Sequence, residues 1–129
     1  MSLATAPATT ILAITDAGRA TTFYGELLGL TSKGTDADGK LLFALAAGAT
    51  LALIEKPAGV QAEHTALSFE VPDIGAGIAD LESHGVVFDD SDLPGLRTVD
   101  HVCVLGAEKA AWFQDPDGNV LCLHERLGA

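Results

Sequence analysis

The sequence predicts an α+β fold built from two βαβββ modules, because its second half repeats the plan of its first. Each half contains a strand, an amphipathic segment that begins after an Asp and ends at a Gly, and three further strands. The matching segments are Ile14–Asp16 with Val71–Asp73, Leu28–Leu30 with His84–Val86, and Gly48–Leu53 with Gly118–Leu123. Two such units can face each other across one cavity, in which a small molecule can bind.

Length and charge limit the classes of function. A chain of 129 residues is expected to form one domain, and its 48% hydrophobic residues predict a globular protein. The formal net charge of −11 argues against nucleic acid and anionic membranes as partners. We recognise no signal peptide and no apolar run that could span a membrane. Cys103 and Cys122 show no paired spacing, which predicts free thiols in a cytoplasmic protein.

The first module is predicted over residues 9–57, after a flexible lead-in over residues 1–8. Asp16 is a suitable N-cap, because the apolar residues after it recur at helical spacing up to Leu28, and Gly29 supplies the stop. Alternating side chains predict strands over Thr9–Thr15, Leu30–Thr35, Lys40–Ala46 and Thr50–Glu55. The turn Asp36–Gly39 ends in Asp-Gly, which favours a hairpin.

The second module is predicted over residues 64–126, after a linker over residues 58–63. Its helix is expected from Asp73 to His84, although Gly75 and Gly77 weaken it. The predicted strands are His64–Val71, Val99–Leu105, Lys109–Gln114 and Val120–Glu125. Between the helix and these last strands, Phe88–Arg97 is interpreted as an acidic loop, and Asp115–Asn119 as a tight turn.

The two faces of the predicted strands differ in composition. The face expected to meet the helices carries large apolar side chains, namely Leu12, Ile14, Leu51, Leu53, Leu67, Phe69, Leu121 and Leu123. The opposite face is mostly small or polar and carries Thr9, Ile11, Ala13, Ala52, Ile54, His64, Ala66, Ser68, Cys122 and His124. Small side chains leave room for a ligand, so this face predicts a pocket, whereas an open solvated face usually carries more charge. Trp112 shares the pocket face if Phe113 faces the helices.

These segments resemble those of a known family. Thr15-Asp16, followed by Phe23-Tyr24 and Leu28-Gly29-Leu30, is similar to the first-half signature of the vicinal oxygen chelate superfamily, and Trp112–Asn119 is similar to its second-half signature. This superfamily includes glyoxalase I, extradiol dioxygenases, fosfomycin resistance enzymes and bleomycin resistance proteins. The resemblance implies paired βαβββ modules with helices outside a curved, mixed, cleft-enclosing sheet. It also implies a homodimer.

The resemblance further implies where a metal would bind. Catalytic members place His or Glu on the first and last strands of each module, and the matching positions here are Thr9, Ala52, Ala66 and Cys122. None of these is a His or a carboxylate, whereas a catalytic divalent metal needs about three protein ligands. We therefore predict no metal cofactor.

The predicted function is the binding of a small hydrophobic or aromatic molecule, as in drug-sequestering relatives. The expected ligand-binding residues are Thr9, Ala52, Ala66, Ser68, Trp112, Cys122 and His124. Apolar burial and stacking on Trp112 would supply affinity, while Ser68 or His124 would fix the orientation. The acidity of the chain favours a cationic ligand.

The alternative function is a lyase or dioxygenase-type enzyme with a non-standard site. Its candidate catalytic residues are His124, Cys122 and His64, with a histidine as general base and Cys122 as nucleophile or ligand. A relocated divalent-metal site of these three residues is the matching metal hypothesis. However, the two histidines are displaced in opposite directions along their strands, by roughly 13 Å in total, so convergence on one ion requires a different strand register.

Overall fold

The computed structural model describes residues 2–61 and 63–128 and shows a mixed α+β fold. The chain divides into two compact units, Met1–Gln61 and Ala62–Ala129, each with its own sheet. In the described parts of the chain, no helix is long and apolar enough to cross a membrane.

The first unit is a βαβββ module, as the sequence predicts. Its strands are β1 (Thr9–Ile14), β2 (Ser32–Thr35), β3 (Leu41–Ala44) and β4 (Thr50–Glu55), in the order β1-β4-β3-β2. Strands β1 and β4 are parallel, and the other pairs are antiparallel. The helix α1 (Ala17–Thr21) continues as a π-helix over Thr22–Leu27, and short 3₁₀ helices form at Leu3–Thr5 and Ala46–Gly48.

The helix of the first unit begins and ends where the sequence predicts, but its geometry changes midway. The Asp16 side chain accepts a hydrogen bond from the Arg19 amide at 2.9 Å, and Gly29 has a φ of 75°. After Thr21 the turns widen, since the Leu28 amide donates to the Phe23 carbonyl five residues back. A helical period alone cannot distinguish these two geometries.

The second unit repeats this plan with one strand divided. Its elements are β5 (Thr65–Glu70), α2 (Ile74–Ser83), β6 (Phe88–Asp89), β7 (Cys103–Leu105), β8 (Glu108–Gln114) and β9 (Val120–Arg126). The order is β5-β9-β8-β6, with β7 also paired to β8. Strands β6 and β7 thus pair with successive parts of β8 and replace the single edge strand of the first unit.

Two predictions for this region were wrong. The predicted loop Phe88–Arg97 begins with strand β6, and the predicted strand Val99–Leu105 is reduced to β7. Asp100 and His101 adopt φ values of 52° and 71°, which an extended strand does not allow, and Val99 bridges back to Val102. The chain therefore turns within the segment that the alternating pattern had predicted to be extended.

The core of each unit lies between its sheet and its helical segment. In the first unit Ile14, Tyr24, Phe43, Leu51 and Leu53 are almost completely buried. In the second unit α2 packs on β8 and β9, and its buried Ile78 and Leu81 accompany Phe113, Leu121 and Leu123 of the sheet. Each sheet thus turns one face towards its own helix, and the opposite face of the second sheet carries the candidate site.

Candidate functional site

Strand register brings a set of polar side chains together on one face of the second sheet. Ser68 is paired with Cys122, Glu70 with His124, and Trp112 with Cys122. Paired residues of adjacent strands project from the same face of a sheet. We call this surface the polar face and define it by Ser68, Glu70, Glu108, Trp112, Cys122, His124 and Arg126.

Hydrogen bonds and ion pairs connect most of the polar face. Ser68 Oγ lies 2.6 Å from His124 Nδ1, and His124 Nε2 lies 3.5 Å from Glu70 Oε1. Arg126 Nε donates to the same Glu70 oxygen at 2.8 Å, and its guanidinium lies 3.4 Å from Glu108. Ser68 is exposed and the His124 side chain is 20% exposed, so a small molecule can reach both.

The charge on Glu70 follows from its neighbours. The hydrogen bond from Arg126, together with the positive charge of that residue and a smaller contribution from His124, holds the pKa of the Glu70 carboxyl below its ordinary value. The carboxylate is therefore ionised at neutral pH. A carboxylate near Nε2 favours a proton on that nitrogen, which leaves Nδ1 of His124 free to accept from the Ser68 hydroxyl.

Cys122 lies between Ser68 and Trp112 on the same face and is buried, with 5% of its surface exposed. Burial raises the pKa of its thiol and outweighs the opposing effect of the hydrogen bond with Ser68. The thiol donates to the Leu123 carbonyl at 3.1 Å. Since the thiolate is the nucleophile and the metal ligand, a buried neutral thiol is unsuited to either of the roles considered for Cys122 in the alternative function.

Trp112 is half-buried and borders both Cys122 and Asp89 in the register. It also lines a cavity of about 210 Å³ together with Asp89, Asp90, Ser91 and Leu96. An indole beside an open cavity offers a flat apolar surface on which an aromatic ring can stack.

Thr9 and Ala52 lie in the first unit, in a different sheet from the polar face. Thr9 is exposed at the start of β1 and is paired with Thr50, while Ala52 is buried and paired with Ile11. The surrounding face is apolar, because Ile11 is flanked by Ala13 and, across the sheet, by Ala52. Thr9 is thus accessible to a ligand, whereas Ala52 exposes no surface, and neither residue is charged.

Ala66 and His64 depart from the predicted pattern. The register shifts between Thr65 and Leu67, so Ala66 lies in an irregularity of β5 and the alternation does not continue to His64. Thr65 is level with Val120, which places His64 about 16 Å along the sheet from His124. The structure therefore does not bring His64, Cys122 and His124 together.

The positions that hold a metal in the family do not fit one here. Thr9 and the two alanines lack the His or carboxylate donors that bind divalent metals, and Cys122 is a buried thiol. Over residues 2–61 and 63–128, no group of three or more His, Cys, Asp or Glu side chains is arranged to hold an ion.

Sequence reasoning did not identify two parts of the second unit. Arg126 follows the predicted end of β9, although its spacing of two from His124 places it on the same face. His101, which was not a candidate, has its Nδ1 2.9 Å from Asp90 Oδ1 and stacks on Phe88, and this hydrogen bond lowers the pKa of Asp90. Asp90 lies in the predicted loop and His101 lies 11 residues further along the chain, in a predicted strand, so no pattern in the sequence indicated that the two would pair.

Comparisons with known proteins agree on the fold. Residues 6–123 match the model of the Glyoxalase/Bleomycin resistance protein/Dioxygenase superfamily. A member of that superfamily from Sphaerobacter thermophilus is similar in structure, with a TM-score of 0.73, 21% identity, and coverage of 94% of this chain and 97% of that chain. A glyoxalase/bleomycin resistance protein from Streptomyces sp. CB03234 has a TM-score of 0.65, 24% identity, and coverage of 92% and 98%.

A third similar structure is a virulence protein from Salmonella typhimurium, with a TM-score of 0.67, 14% identity, and coverage of 95% of this chain and 96% of that chain. A search among curated proteins finds no match. Identities this low establish a shared fold and leave the chemistry to be argued from the residues of the site.

Proposed function

Because the chain belongs to the Glyoxalase/Bleomycin resistance protein/Dioxygenase superfamily, we propose a function that its own site residues support: metal-independent binding of a small hydrophobic or aromatic molecule. The observation that carries this proposal is the polar face, on which half-buried Trp112 and an accessible Ser68–His124 hydrogen bond lie on the same side of one sheet, on either side of Cys122. Ligand sites commonly combine apolar surface with a few placed polar groups.

The donor set supports binding without a metal. Residues at the family's ligand positions in the first unit are Thr9 and Ala52, which offer a neutral hydroxyl and a methyl group in place of a His or carboxylate ligand. On the polar face, Glu70 is already engaged by Arg126 at 2.8 Å, and Cys122 is a buried thiol. Affinity would therefore come from apolar contact with Trp112, and orientation from Ser68 and His124.

Charge narrows the ligand class. The polar face has a net negative charge when His124 is neutral, because it carries the carboxylates of Glu70 and Glu108 and only one guanidinium, that of Arg126. The whole chain has a net charge of −11, which attracts cations over a distance. A cationic aromatic molecule is therefore the preferred ligand. We also propose that the protein is a homodimer and that it is cytoplasmic.

The test is a titration that follows fluorescence of Trp112, the one Trp in the sequence. Naphthylmethylammonium serves as the cationic probe and naphthol as the neutral one, each with and without a metal chelator. We expect saturable binding that the chelator leaves unchanged, with tighter binding of the cation at low salt. Absence of saturation for both probes, or binding lost on chelation, would contradict the proposal.

Variants locate the binding surface. Trp112→Leu should weaken binding roughly fivefold, because stacking on an aromatic ring contributes about 1 kcal/mol beyond burial. Calorimetry replaces fluorescence for this variant, which lacks the indole. His84→Gln, at the exposed end of α2, is the matched control and should bind as the wild type does. Equal affinity of Trp112→Leu and wild type would exclude Trp112 as part of the binding site.

A further inference from the structure

The polar face carries a hydroxyl, an imidazole and a carboxylate in a line. Ser68 Oγ is 2.6 Å from His124 Nδ1, and Glu70 Oε1 is 3.5 Å from His124 Nε2. We propose that this line gives the protein an ester-hydrolysing activity, with Ser68 as nucleophile, His124 as general base and Glu70 as positioning residue. The activity goes beyond the proposed binding function and shares its surface, but it requires only that an ester reach Ser68.

The chemistry balances without a metal or an external oxidant. Ser68 Oγ forms a bond to the acyl carbon while its proton moves to His124 Nδ1. The bond from the acyl carbon to the alcohol oxygen then breaks, and His124 returns the proton to the leaving oxygen. In the second half, water attacks the acyl-Ser68 ester, His124 accepts the proton of the water, and Ser68 regains a proton as the acid leaves.

Each neighbour supports these roles. Glu70 is ionised by its contact with Arg126, and its negative charge favours the tautomer that leaves Nδ1 unprotonated. At 3.5 Å the carboxylate orients the imidazole mainly through charge, and it stabilises the imidazolium that forms. Ser68 is exposed, so a carbonyl can approach it, whereas the buried thiol of Cys122 does not compete.

A second Ser–His pair in the same chain shows what is particular to Ser68. Ser83 Oγ lies 3.3 Å from His84 Nδ1 at the end of α2. That nitrogen also lies 2.8 Å from the Asp80 carbonyl, which only accepts hydrogen bonds, so Nδ1 of His84 carries the proton and cannot take one from Ser83. Ser83 thus serves as an internal control.

The experiment is incubation of the full chain with para-nitrophenyl acetate. We expect release of nitrophenolate and a mass increase of one acetyl group, mapped to the peptide that contains Ser68. Ser68→Ala should abolish both signals, and His124→Gln should lower the acylation rate by roughly 100-fold. Ser83→Ala should behave as the wild type. Thermal unfolding of each variant, followed by Trp112 fluorescence, shows whether it is folded.

Glu70 needs a readout of its own, because it acts through His124. Glu70→Gln should lower kcat roughly tenfold with KM unchanged, while the binding of naphthylmethylammonium remains measurable. Acetylation of another residue, or nitrophenolate release by folded Ser68→Ala equal to that of the wild type, would overturn the proposal. If either folded variant, Ser68→Ala or His124→Gln, retains full activity while the probe still binds, hydrolysis fails and the binding function stands.

Discussion

Replacing Asp115 by Ala should cost the protein several kcal/mol of stability, because this carboxylate organises the turn between β8 and β9. Asp115 is 5% exposed. Its Oδ1 accepts from the amides of Asp117 and Asn119 at 2.9 and 2.8 Å, and its Oδ2 accepts from Asn119 Nδ2 at 2.8 Å. Asn119 is itself only 2% exposed, so water cannot readily replace the lost acceptor.

The magnitude follows from the donors left behind. An unsatisfied buried donor costs about 1–3 kcal/mol, and two of the three donors are fully buried. A loss of about 3–5 kcal/mol is therefore expected for Asp115→Ala. Asp115→Asn should fall between this variant and the wild type, since an amide oxygen still accepts from the backbone.

The first unit supplies a matched control with the same geometry. Asp36 Oδ1 accepts from the amides of Asp38 and Lys40, both at 3.0 Å, but the turn is largely exposed. Water can hydrate these donors when the carboxylate is removed, so Asp36→Ala should cost much less. Urea unfolding followed by far-UV circular dichroism measures both variants. Equal losses for the two would show that burial of the Asp115 turn does not determine its contribution.

Three further outcomes are expected. Gly75→Ala should stabilise the protein by about 0.5–1 kcal/mol in urea unfolding. Gly77→Ala should not, because a Cβ at this position would lie 3.2 Å from the Leu123 side chain. Equal stabilisation by both variants would contradict tight packing of α2 on β9. Because the pKa of Glu70 is lowered in the folded protein, its ionised carboxylate adds stability at pH values above 4.5, the ordinary pKa of this group. This stability is lost as the pH falls through the lowered pKa of the folded state. The melting temperatures of wild type and Glu70→Gln should therefore converge in acid. Cys122, whose pKa is raised by burial, should react with iodoacetamide only as fast as the protein unfolds, and rapid labelling of the native protein would argue for an accessible thiolate.

The fold could be predicted from sequence because its signals are local. Strand β4 spans Thr50–Glu55 as predicted, and both helices begin after the predicted Asp N-caps. The errors arose where backbone geometry overrides an alternating pattern. Nothing in the apolar spacing marks the positive φ values of Asp100 and His101, and the π-helix buries the same Phe23 and Tyr24 that an α-helix would.

The site could be predicted only in part, because its key distances depend on register. Alternation along each strand places Ser68 and His124 on one face, but strands β5 and β9 are more than fifty residues apart in sequence, and their pairing is a tertiary property. The irregularity at Ala66 illustrates the difficulty, since a slip of one residue there separates His64 from the face to which alternation had assigned it.

The same kind of Asp turn occurs at different hairpins of the two units, between β2 and β3 in the first and between β8 and β9 in the second, and the sheet faces of the units also differ. Asp36 and Asp115 organise their hairpins through the same backbone contacts, while Ile11 and Ala52 in one half contrast with Ser68 and His124 in the other. A duplicated sequence of this kind can therefore change the residues on one sheet face without changing the fold. Selection for a new ligand can act on a few face positions of one copy, while both copies keep the same strand order.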